Sequence, residues 1–165
     1  MIFETERLRI RKLKLSDIEG FYELESNPKV LQYATGEAKS FEGCKTNLQE
    51  VIEKYDKPNN DFWIYAAIRK QDNAFVGTVA FVKEGVDDEI GYRLVERFWG
   101  NGYGYEVCKG MITYAKQLEM PKLIGNVVDE NIASAKILVK LGFTPIEHFV
   151  SEDIKLPETK YELIL

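Results

Sequence analysis

Residues 98–106 read Phe-Trp-Gly-Asn-Gly-Tyr-Gly-Tyr-Glu, and this glycine turn decides the fold. Three glycines at alternate positions (Gly100, Gly102 and Gly104) follow an apolar strand-like run at 90–95 and open a strongly helical run. Glycine leaves room for an anion to approach the backbone, and the N–H groups and dipole at a helix start favour negative charge. The stretch therefore predicts a turn that binds phosphate or pyrophosphate.

Two other glycine motifs fit this stretch poorly. A nucleotide P-loop needs Lys followed by Ser or Thr after its last glycine, whereas Tyr105 and Glu106 follow Gly104 here. The dinucleotide fingerprint Gly-x-Gly-x-x-Gly opens a βαβ unit near the chain start, but the spacing here is Gly-x-Gly-x-Gly and begins beyond residue 97. A plain turn whose glycines only permit positive φ remains the alternative.

Composition and charge are typical of a soluble globular protein. The chain has 165 residues, of which 45% are hydrophobic, 12% aromatic and 30% charged, so we expect a single domain over residues 1–165. No apolar run approaches the ~20 residues that span a bilayer, and a membrane partner is not expected. A net charge of −5 argues against a nucleic-acid partner, which would need a basic face.

The cysteines and the first residues indicate the compartment. Cys44 and Cys108 lie far apart, without metal-ligand spacing or a disulfide framework, so no metal site is expected. Residues 1–7 lack the basic segment and apolar core of a secretory signal. We therefore expect a cytoplasmic protein, as a monomer or homodimer.

Hydrophobic periodicity predicts the element order β-α-α-β-β-β-α-β-α-β-β. The seven strands are expected at 7–13, 62–69, 75–83, 89–95, 122–128, 144–150 and 160–165. The four helices are expected from a capping box at Ser16 and Glu19, from Phe41 to Tyr55, from the glycine turn to about Glu119, and from Asn131 to Leu141, with 28–39 as a loop. An α+β domain with a mixed, mostly antiparallel sheet is the simplest arrangement. The β-α-β unit around the glycine turn is expected to be parallel.

Three segments carry a family resemblance. They are Thr5–Arg11, Ile90–Tyr92 with Trp99–Glu106, and Asn131–Ser134 with Lys140–Phe143. In this order they resemble the opening strand, the acetyl-CoA turn and the last-helix signature of the GCN5-related N-acetyltransferase (GNAT) superfamily, in the branch of ribosomal-protein alanine N-acetyltransferases. The resemblance implies a GNAT-like domain, acetyl-CoA as cofactor and an amine acceptor, either a small molecule or a protein N-terminus.

The resemblance also implies a cofactor site. The superfamily turn is Gln/Arg-x-x-Gly-x-Gly/Ala, and Gly102 and Gly104 match its last two positions, whereas Trp99 replaces the Gln or Arg. The residues whose backbone amides would hold the pyrophosphate are Gly100, Asn101, Gly102, Tyr103, Gly104 and Tyr105. The pantetheine arm would pair with Tyr92, Arg93 and Leu94 like an added strand, and its end would bond Asn131. Strands 89–95 and 122–128 are expected to splay apart to admit it.

Acetyl transfer to an amine needs a base for the amine proton and a donor for the developing oxyanion. The resemblance implies a backbone N–H near Leu94 as the oxyanion donor. Some N-terminal acetyltransferases place a Glu and a Tyr where this chain has Asn126 and Leu138, so their mechanism does not transfer. Glu89 is the best remaining base, with a solvated strand-end carboxylate or a water chain as the alternatives.

We expect the neighbours Asp87 and Asp88 to raise the pKa of Glu89. Ser134 is the candidate proton donor to the leaving sulfur, unless its hydroxyl bonds a carbonyl of its own helix. His148 and Cys108 are more typical of strand packing and core packing than of catalysis.

The acceptor is expected between residues 28–39 and 151–159, where acidic side chains of the second segment would attract a cation. Two rival functions stay open at this point. One is a non-catalytic acyl-CoA-binding sensor on the same fold, and the other is an interaction domain without a cofactor.

Overall fold

The computed structural model describes residues 1–34 and 37–165, within which eight strands form one sheet. The strands are β1 (Phe3–Glu4), β2 (Leu8–Lys12), β3 (Phe62–Arg69), β4 (Phe75–Glu84), β5 (Asp87–Leu94), β6 (Lys122–Val128), β7 (Thr144–Val150) and β8 (Pro157–Ile164). The five α-helices of these residues are α1 (Ile18–Glu25), α2 (Pro28–Leu31), α3 (Phe41–Lys54), α4 (Tyr103–Gln117) and α5 (Ile132–Lys140). Short 3₁₀ turns occupy Leu15–Asp17 and Glu96–Phe98.

The sheet is mixed and mostly antiparallel, as predicted. Its order is β1-β2-β3-β4-β5-β6-β8-β7, and every neighbouring pair runs antiparallel except β5 with β6. That parallel pair flanks the glycine turn and α4, which confirms the predicted β-α-β unit. The predicted bounds of β3, β6 and β7 are also confirmed.

The two faces of the sheet carry different helices. Arg93 bonds Glu25 on α1, whereas its neighbour Tyr92 bonds Ser134 on α5. Successive residues of a strand point to opposite faces, so α1 and α5 cover opposite faces of the sheet. Helix α3 contacts α1, and α4 contacts α5. The core between these layers is closed by fully buried aliphatic residues, which include Leu8, Ile10, Val79, Met111, Leu123 and Ile124.

Two short elements were missed by the sequence prediction. Strand β1 is only two residues long, too short for an alternating pattern to appear. Helix α2 lies inside the predicted loop 28–39, where Pro28 occupies the first turn and the Asn27 side chain accepts from the N–H of Lys29 at 3.0 Å. Residues Thr35 and Gly36 of that predicted loop lie outside the described residues.

The predicted capping box at Ser16 and Glu19 is wrong. Residues Leu15–Asp17 form a 3₁₀ turn, and α1 begins only at Ile18. The carboxylate of Asp17 accepts from the N–H of Lys14 at 2.8 Å and from both terminal nitrogens of Arg11 at 2.8 Å. Asp17 therefore caps the turn, because the ion pair with Arg11 holds its carboxylate in place. Within residues 1–34 and 37–165, no helix is both long and apolar enough to cross a membrane.

Candidate active site

Strands β5 and β6 separate almost as soon as they meet. In the described chain only Glu89 and Ile124 pair in register between them, whereas β5 pairs with β4 along its whole length. The N–H of Val95 donates to Val76 on the β4 side at 2.9 Å. Backbone groups alternate in direction along a strand, so Tyr92 and Leu94 turn their N–H groups away from β4. The gap that the family resemblance implied is present, and it is lined by these backbone donors.

The glycine turn adopts the left-handed backbone that its glycines permit. Gly100 has φ +74° and Gly102 has φ +80°, and Gly102 is the N-cap of α4. Side chains are disfavoured in this region, which explains why glycine occupies both positions. The Asn101 side chain braces the turn, since its Nδ2 donates to the carbonyls of Phe98 at 3.0 Å and Trp99 at 2.9 Å.

The gap and the turn open into one cleft of about 690 Å³. Ten of the twelve candidate residues line it: Tyr92, Arg93, Leu94, Gly100, Gly102, Tyr103, Gly104, Tyr105, Asn131 and Ser134. Asn101 and Glu89 are not part of the lining. Because Arg93 and Tyr92 point to opposite faces, the cleft passes through the gap from one face of the sheet to the other.

Trp99 occupies the place of the expected Gln or Arg and lines the cleft. Its indole Nε1 donates to the carbonyl oxygen of Leu94 at 2.8 Å. This bond ties the turn to the last residue of β5. The tryptophan therefore fixes the position of the turn relative to the strand without contributing a charge.

Tyr92 and Ser134 form a hydroxyl pair in the cleft, with 3.0 Å between Tyr92 Oη and Ser134 Oγ. Burial, with a smaller effect from Cys108, raises the pKa of Tyr92 to about 12, although the bond from Ser134 opposes this. The phenol therefore stays protonated at neutral pH and can donate to Ser134. Asn131 Oδ1 caps α5 by accepting from the N–H of Ser134 at 3.3 Å, which leaves the Nδ2 group of Asn131 to donate to a ligand.

Glu89 lies at the point where β5 and β6 still pair, and it is partly buried. Burial is the main cause that raises its pKa, and the negative charge of Glu84 adds to it, while Asn126 opposes it. The expectation that Asp87 and Asp88 raise this pKa is wrong. Both are engaged elsewhere, since Asp88 pairs with a lysine at 2.8 Å and Asp87 with another at 3.0 Å.

The face of β5 that carries Glu89 is sparsely covered at Gly91. Glu89, Gly91 and Arg93 share one face of β5, and a Cβ built on Gly91 meets a single neighbour, Ala80, at 3.9 Å. With a rise of ~3.3 Å per residue, Glu89 stands roughly 13 Å from Arg93 along the strand. Beside Glu89, the Oδ1 atom of Asn126 is buried and has no hydrogen-bond partner among the described residues. Such an atom is suited to hold a water molecule.

The buried carboxylate of Glu25 holds Arg93 at the side of the cleft. Glu25 is 3% exposed and accepts from Arg93 at 2.8 Å and from Lys39 at 2.7 Å. Sequence reasoning missed Glu25 and Lys39, because nothing in their spacing signals that they meet. The predicted acceptor segment 28–39 contributes Lys29 and Tyr33 to the lining, along with their neighbours Val30 and Gln32, whereas residues 151–159 contribute none.

Two residues that were interpreted as packing residues do not line the cleft. His148 is exposed on β7, and its Nδ1 lies 3.0 Å from the hydroxyl of Thr159. Cys108 is buried in α4, and burial raises the pKa of its thiol to about 12. A thiol with so high a pKa is a poor nucleophile at neutral pH, in keeping with its interpretation as a core residue.

Residues 7–144 match the model of the acetyltransferase (GNAT) domain, so the chain belongs to this family. It is 28% identical over 147 residues to YoaA, an uncharacterised N-acetyltransferase of Bacillus subtilis, a match that covers 86% of this chain and 82% of that one. The family resemblance deduced from the three segments is confirmed.

Solved structures share the fold. A GNAT-family acetyltransferase from Bacillus anthracis superposes with a TM-score of 0.86 at 21% identity, over 98% of this chain and 97% of that one. RimL, a ribosomal L7/L12 α-N-protein acetyltransferase in complex with coenzyme A, superposes with a TM-score of 0.82 at 20% identity, over 98% and 96%. The α+β fold is therefore that of the GNAT acetyltransferases.

Proposed function

We propose that this protein transfers the acetyl group of acetyl-CoA to a primary amine. The observation that carries the proposal is the continuity between the gap and the glycine turn. The unpaired N–H groups of β5 lead directly to the N-terminus of α4 within one cleft. The first set of donors suits an extended, amide-bearing arm, and the second suits a pyrophosphate.

The residues present fit this cofactor. The Cβ position of Gly100 has no neighbouring atom within 4 Å, so the turn is open to an anion. The turn amides would hold the pyrophosphate, and the backbone of Tyr92 and Leu94 would hold the pantetheine arm, with Asn131 at its end. The coenzyme A complex of RimL, which has the same fold, supports the assignment. Bound acetyl-CoA supplies the acetyl group as a thioester, whose carbonyl carbon is open to attack by a neutral amine.

The N–H of Leu94 is suited to stabilise negative charge on the acetyl oxygen. Its neighbours hold it in place from both sides, since Val95 bonds Val76 on β4 and Trp99 bonds the carbonyl of Leu94 itself. A donor fixed in this way needs no reorganisation when charge develops, which is the source of its catalytic effect.

Glu89 accepts the amine proton through water that lies over Gly91. Burial raises the pKa of Glu89, so its carboxylate is a stronger base than an exposed glutamate while remaining capable of ionisation. Gly91 has no side chain, and a Cβ built there would have Ala80 as its single neighbour at 3.9 Å, which leaves room for water. The free Oδ1 of Asn126 gives that water a partner. Proton acceptance in this way contributes on the order of a hundredfold or more to the rate.

Ser134 donates a proton to the departing sulfur. Its Oγ lies 3.0 Å from the hydroxyl of Tyr92, which is protonated at neutral pH and can donate to Ser134 in turn. The two hydroxyls therefore act as a short relay on the α4–α5 face. The acceptor enters from the opposite face, past Arg93 and residues 29–33, and its class is a primary amine of a small molecule or a protein N-terminus.

Thermal denaturation with added ligands tests the cofactor. Acetyl-CoA or coenzyme A at ~100 times its Kd should stabilise the fold by roughly 2.7 kcal/mol, a shift of several degrees, whereas ATP and NAD should give no shift. Release of coenzyme A is then followed across a panel of polyamines, amino acids and N-terminal peptides. Stabilisation by neither coenzyme A species would remove the basis of the proposal, and binding without release on any amine would contradict the transfer step.

A further inference from the structure

We propose that Arg7 is a positioning residue for the glycine turn: it compensates the negative charge of Glu106 beside the pyrophosphate site and holds the turn in its binding shape. The inference rests on the proposed function, because it concerns the affinity of the same cleft for a phosphorylated cofactor. It concerns a residue outside the cleft itself, since Arg7 does not line it.

Glu106 is poorly placed for an anion site unless its charge is compensated. It lies in the first turn of α4, the turn whose N–H groups face the cleft, and its side chain is only 15% exposed. Burial alone would raise the pKa of Glu106, but hydrogen bonds from Thr5 and Arg7 outweigh burial and hold the pKa below its usual value. The carboxylate is therefore ionised at neutral pH and would repel a pyrophosphate nearby.

The N-terminal segment supplies the compensation. Oε1 of Glu106 accepts from the hydroxyl of Thr5 at 2.6 Å and from the backbone N–H of Arg7 at 2.7 Å. Oε2 accepts from Nε of Arg7 at 2.6 Å. Both carboxylate oxygens are thus directed toward residues 5–7, with a full positive charge beside them. Short, charge-assisted bonds of this kind are the strongest hydrogen bonds that side chains make.

The same guanidinium group contacts three successive residues of the glycine turn. Its Nη1 donates to the carbonyl of Asn101 at 2.9 Å, and its central carbon lies 4.3 Å from the ring centroid of Tyr103. Its Nη2 lies 3.5 Å from the Cβ position of Gly102. The bond to Asn101 turns that carbonyl oxygen toward Arg7, and a carbonyl directed elsewhere does not compete with the N–H groups that bind an anion.

Arg7 acts from a neighbouring groove. This groove of about 840 Å³ contains Arg7, Glu106 and Lys109, and it shares Gly102 and Tyr105 with the cleft. The turn therefore separates the two spaces. Arg7 supports the turn from the groove while the N–H groups act in the cleft, so the effect of Arg7 on the cofactor passes through the turn.

The test compares Arg7→Ala with Arg9→Ala. Both arginine side chains are 42% exposed and both pair with a glutamate, but Arg9 pairs with Glu4, at 3.4 Å. Calorimetric titration with coenzyme A should give a Kd on the order of tenfold higher for Arg7→Ala, the effect of one charge-assisted interaction, and an unchanged Kd for Arg9→Ala. The KM for S-acetyl-pantetheine, which has no pyrophosphate, should be the same in all three proteins.

Adding Glu106→Gln to Arg7→Ala should restore much of the lost affinity, because the repelling charge is then gone. Arg7→Lys keeps the charge but loses the several N–H donors of the guanidinium group, so its Kd for coenzyme A should lie between those of the parent and Arg7→Ala. This variant replaces Arg7→Ala in the test if Arg7→Ala does not fold. The inference would be overturned by an unchanged coenzyme A affinity in Arg7→Ala or by no rescue from Glu106→Gln. It would also be overturned if Arg7→Ala weakened the use of S-acetyl-pantetheine as much as that of acetyl-CoA. A parent protein that does not bind coenzyme A would instead overturn the proposed function.

Discussion

The proposed cofactor-binding side of the cleft (the cofactor wall) and the proposed acceptor-binding side (the acceptor wall) are built from different parts of the chain. The cofactor wall consists of β5, the glycine turn and the start of α4, which follow one another in sequence from residue 87 to 106, with α5 alongside. The acceptor wall depends on Glu25, which meets Lys39 at 14 residues' separation and Arg93 at 68. The first wall offers a ligand backbone groups, whereas the second is held together by charged side chains.

Because of this difference, substitutions should affect the two walls differently. Backbone donors depend on strand pairing and on left-handed glycines, so most side-chain changes leave the cofactor wall unaltered. Charged side chains can be exchanged singly, so the acceptor wall can change its ligand while the fold stays the same. We therefore expect substitutions to sort into two groups, one that changes cofactor affinity and one that changes the response to the amine.

The largest expected effect is that of Gly102→Val on the cofactor wall. Its branched side chain would distort a backbone at φ +80°, and coenzyme A affinity should fall on the order of a thousandfold with the loss of two or more charge-assisted bonds. Gly85→Val is the control, because Gly85 also has positive φ, +63°, in the β4–β5 turn. Both variants should lose ~1–2 kcal/mol of stability in chemical denaturation. Equal coenzyme A affinities in the two would contradict the role of the turn.

The second effect concerns Glu89 and the acid side of the pH profile. Activity should fall as pH drops through the raised pKa of Glu89, because the protonated carboxyl cannot act as a base. Glu89→Gln should lower kcat roughly a hundredfold and remove that limb, without changing coenzyme A affinity. A pH profile identical to that of the parent would exclude Glu89 as the base.

Glu89→Gln should also change how the stability of the protein depends on pH. A carboxyl whose folded pKa is raised contributes stability below its unfolded pKa and loses it as pH rises through the folded pKa. Glu89→Gln should therefore melt higher than the parent at neutral pH and equally in acid. Glu84→Gln should do the reverse, because a bond from Lys160 lowers the pKa of Glu84, whose contribution is present at neutral pH and lost in acid. Melting curves across pH distinguish the two signs.

The third effect concerns the acceptor wall. Glu25→Gln should cost about 2 kcal/mol of unfolding free energy, less than for a fully buried pair because Arg93 and Lys39 are about a third exposed. The KM for the amine should rise while the Kd for coenzyme A stays constant. Glu23→Gln on the same helix is the control, since its pair with Arg97 is exposed and worth less than ~1 kcal/mol. A parallel loss of coenzyme A affinity would show that the walls are not separable.

The smallest expected effect is that of Gly91→Val, between the two walls. Its backbone is not in the left-handed region and its nearest neighbour is Ala80 at 3.9 Å, so the fold should tolerate the change. The added side chain would displace water between Glu89 and the cleft, and kcat should fall roughly tenfold, less than the ~100-fold or more of general-base catalysis, because proton transfer is slowed rather than abolished. Steady-state kinetics with an unchanged kcat would mean that the proton leaves by another route.

The sequence was sufficient where the signal was local. The glycines of the turn predicted a helix that starts there, and α4 begins at Tyr103. Hydrophobic pattern and composition predicted β3 and β6 to the residue. It failed where the outcome depends on a side-chain contact that only the folded chain makes, even between residues close in sequence. Asp17 caps its turn because Arg11 holds its carboxylate, and the pKa of Glu89 responds to Glu84 rather than to the adjacent aspartates.

The same limit applies within the candidate site. Much of the cleft lining could be predicted from contiguous motifs, and ten of the twelve named residues line the cleft. Glu25 could not be predicted, because a glutamate on an amphipathic helix is normally solvated, and only the packed structure brings Lys39 and Arg93 to it. The ties from Thr5 and Arg7 to Glu106 were missed for the same reason, at separations of 101 and 99 residues.

Because β5 and β6 share a single register pair, the sheet consists of two parts that are joined only weakly. One part contains β1 to β5, and the other contains β6, β8 and β7. A ligand that hydrogen-bonds along the gap would join the two parts of the sheet, so that they unfold cooperatively rather than separately. Amide hydrogens of β8, which does not border the gap, should then exchange more slowly when coenzyme A is bound. In this protein the cosubstrate would serve as a missing piece of the architecture as well as a reagent.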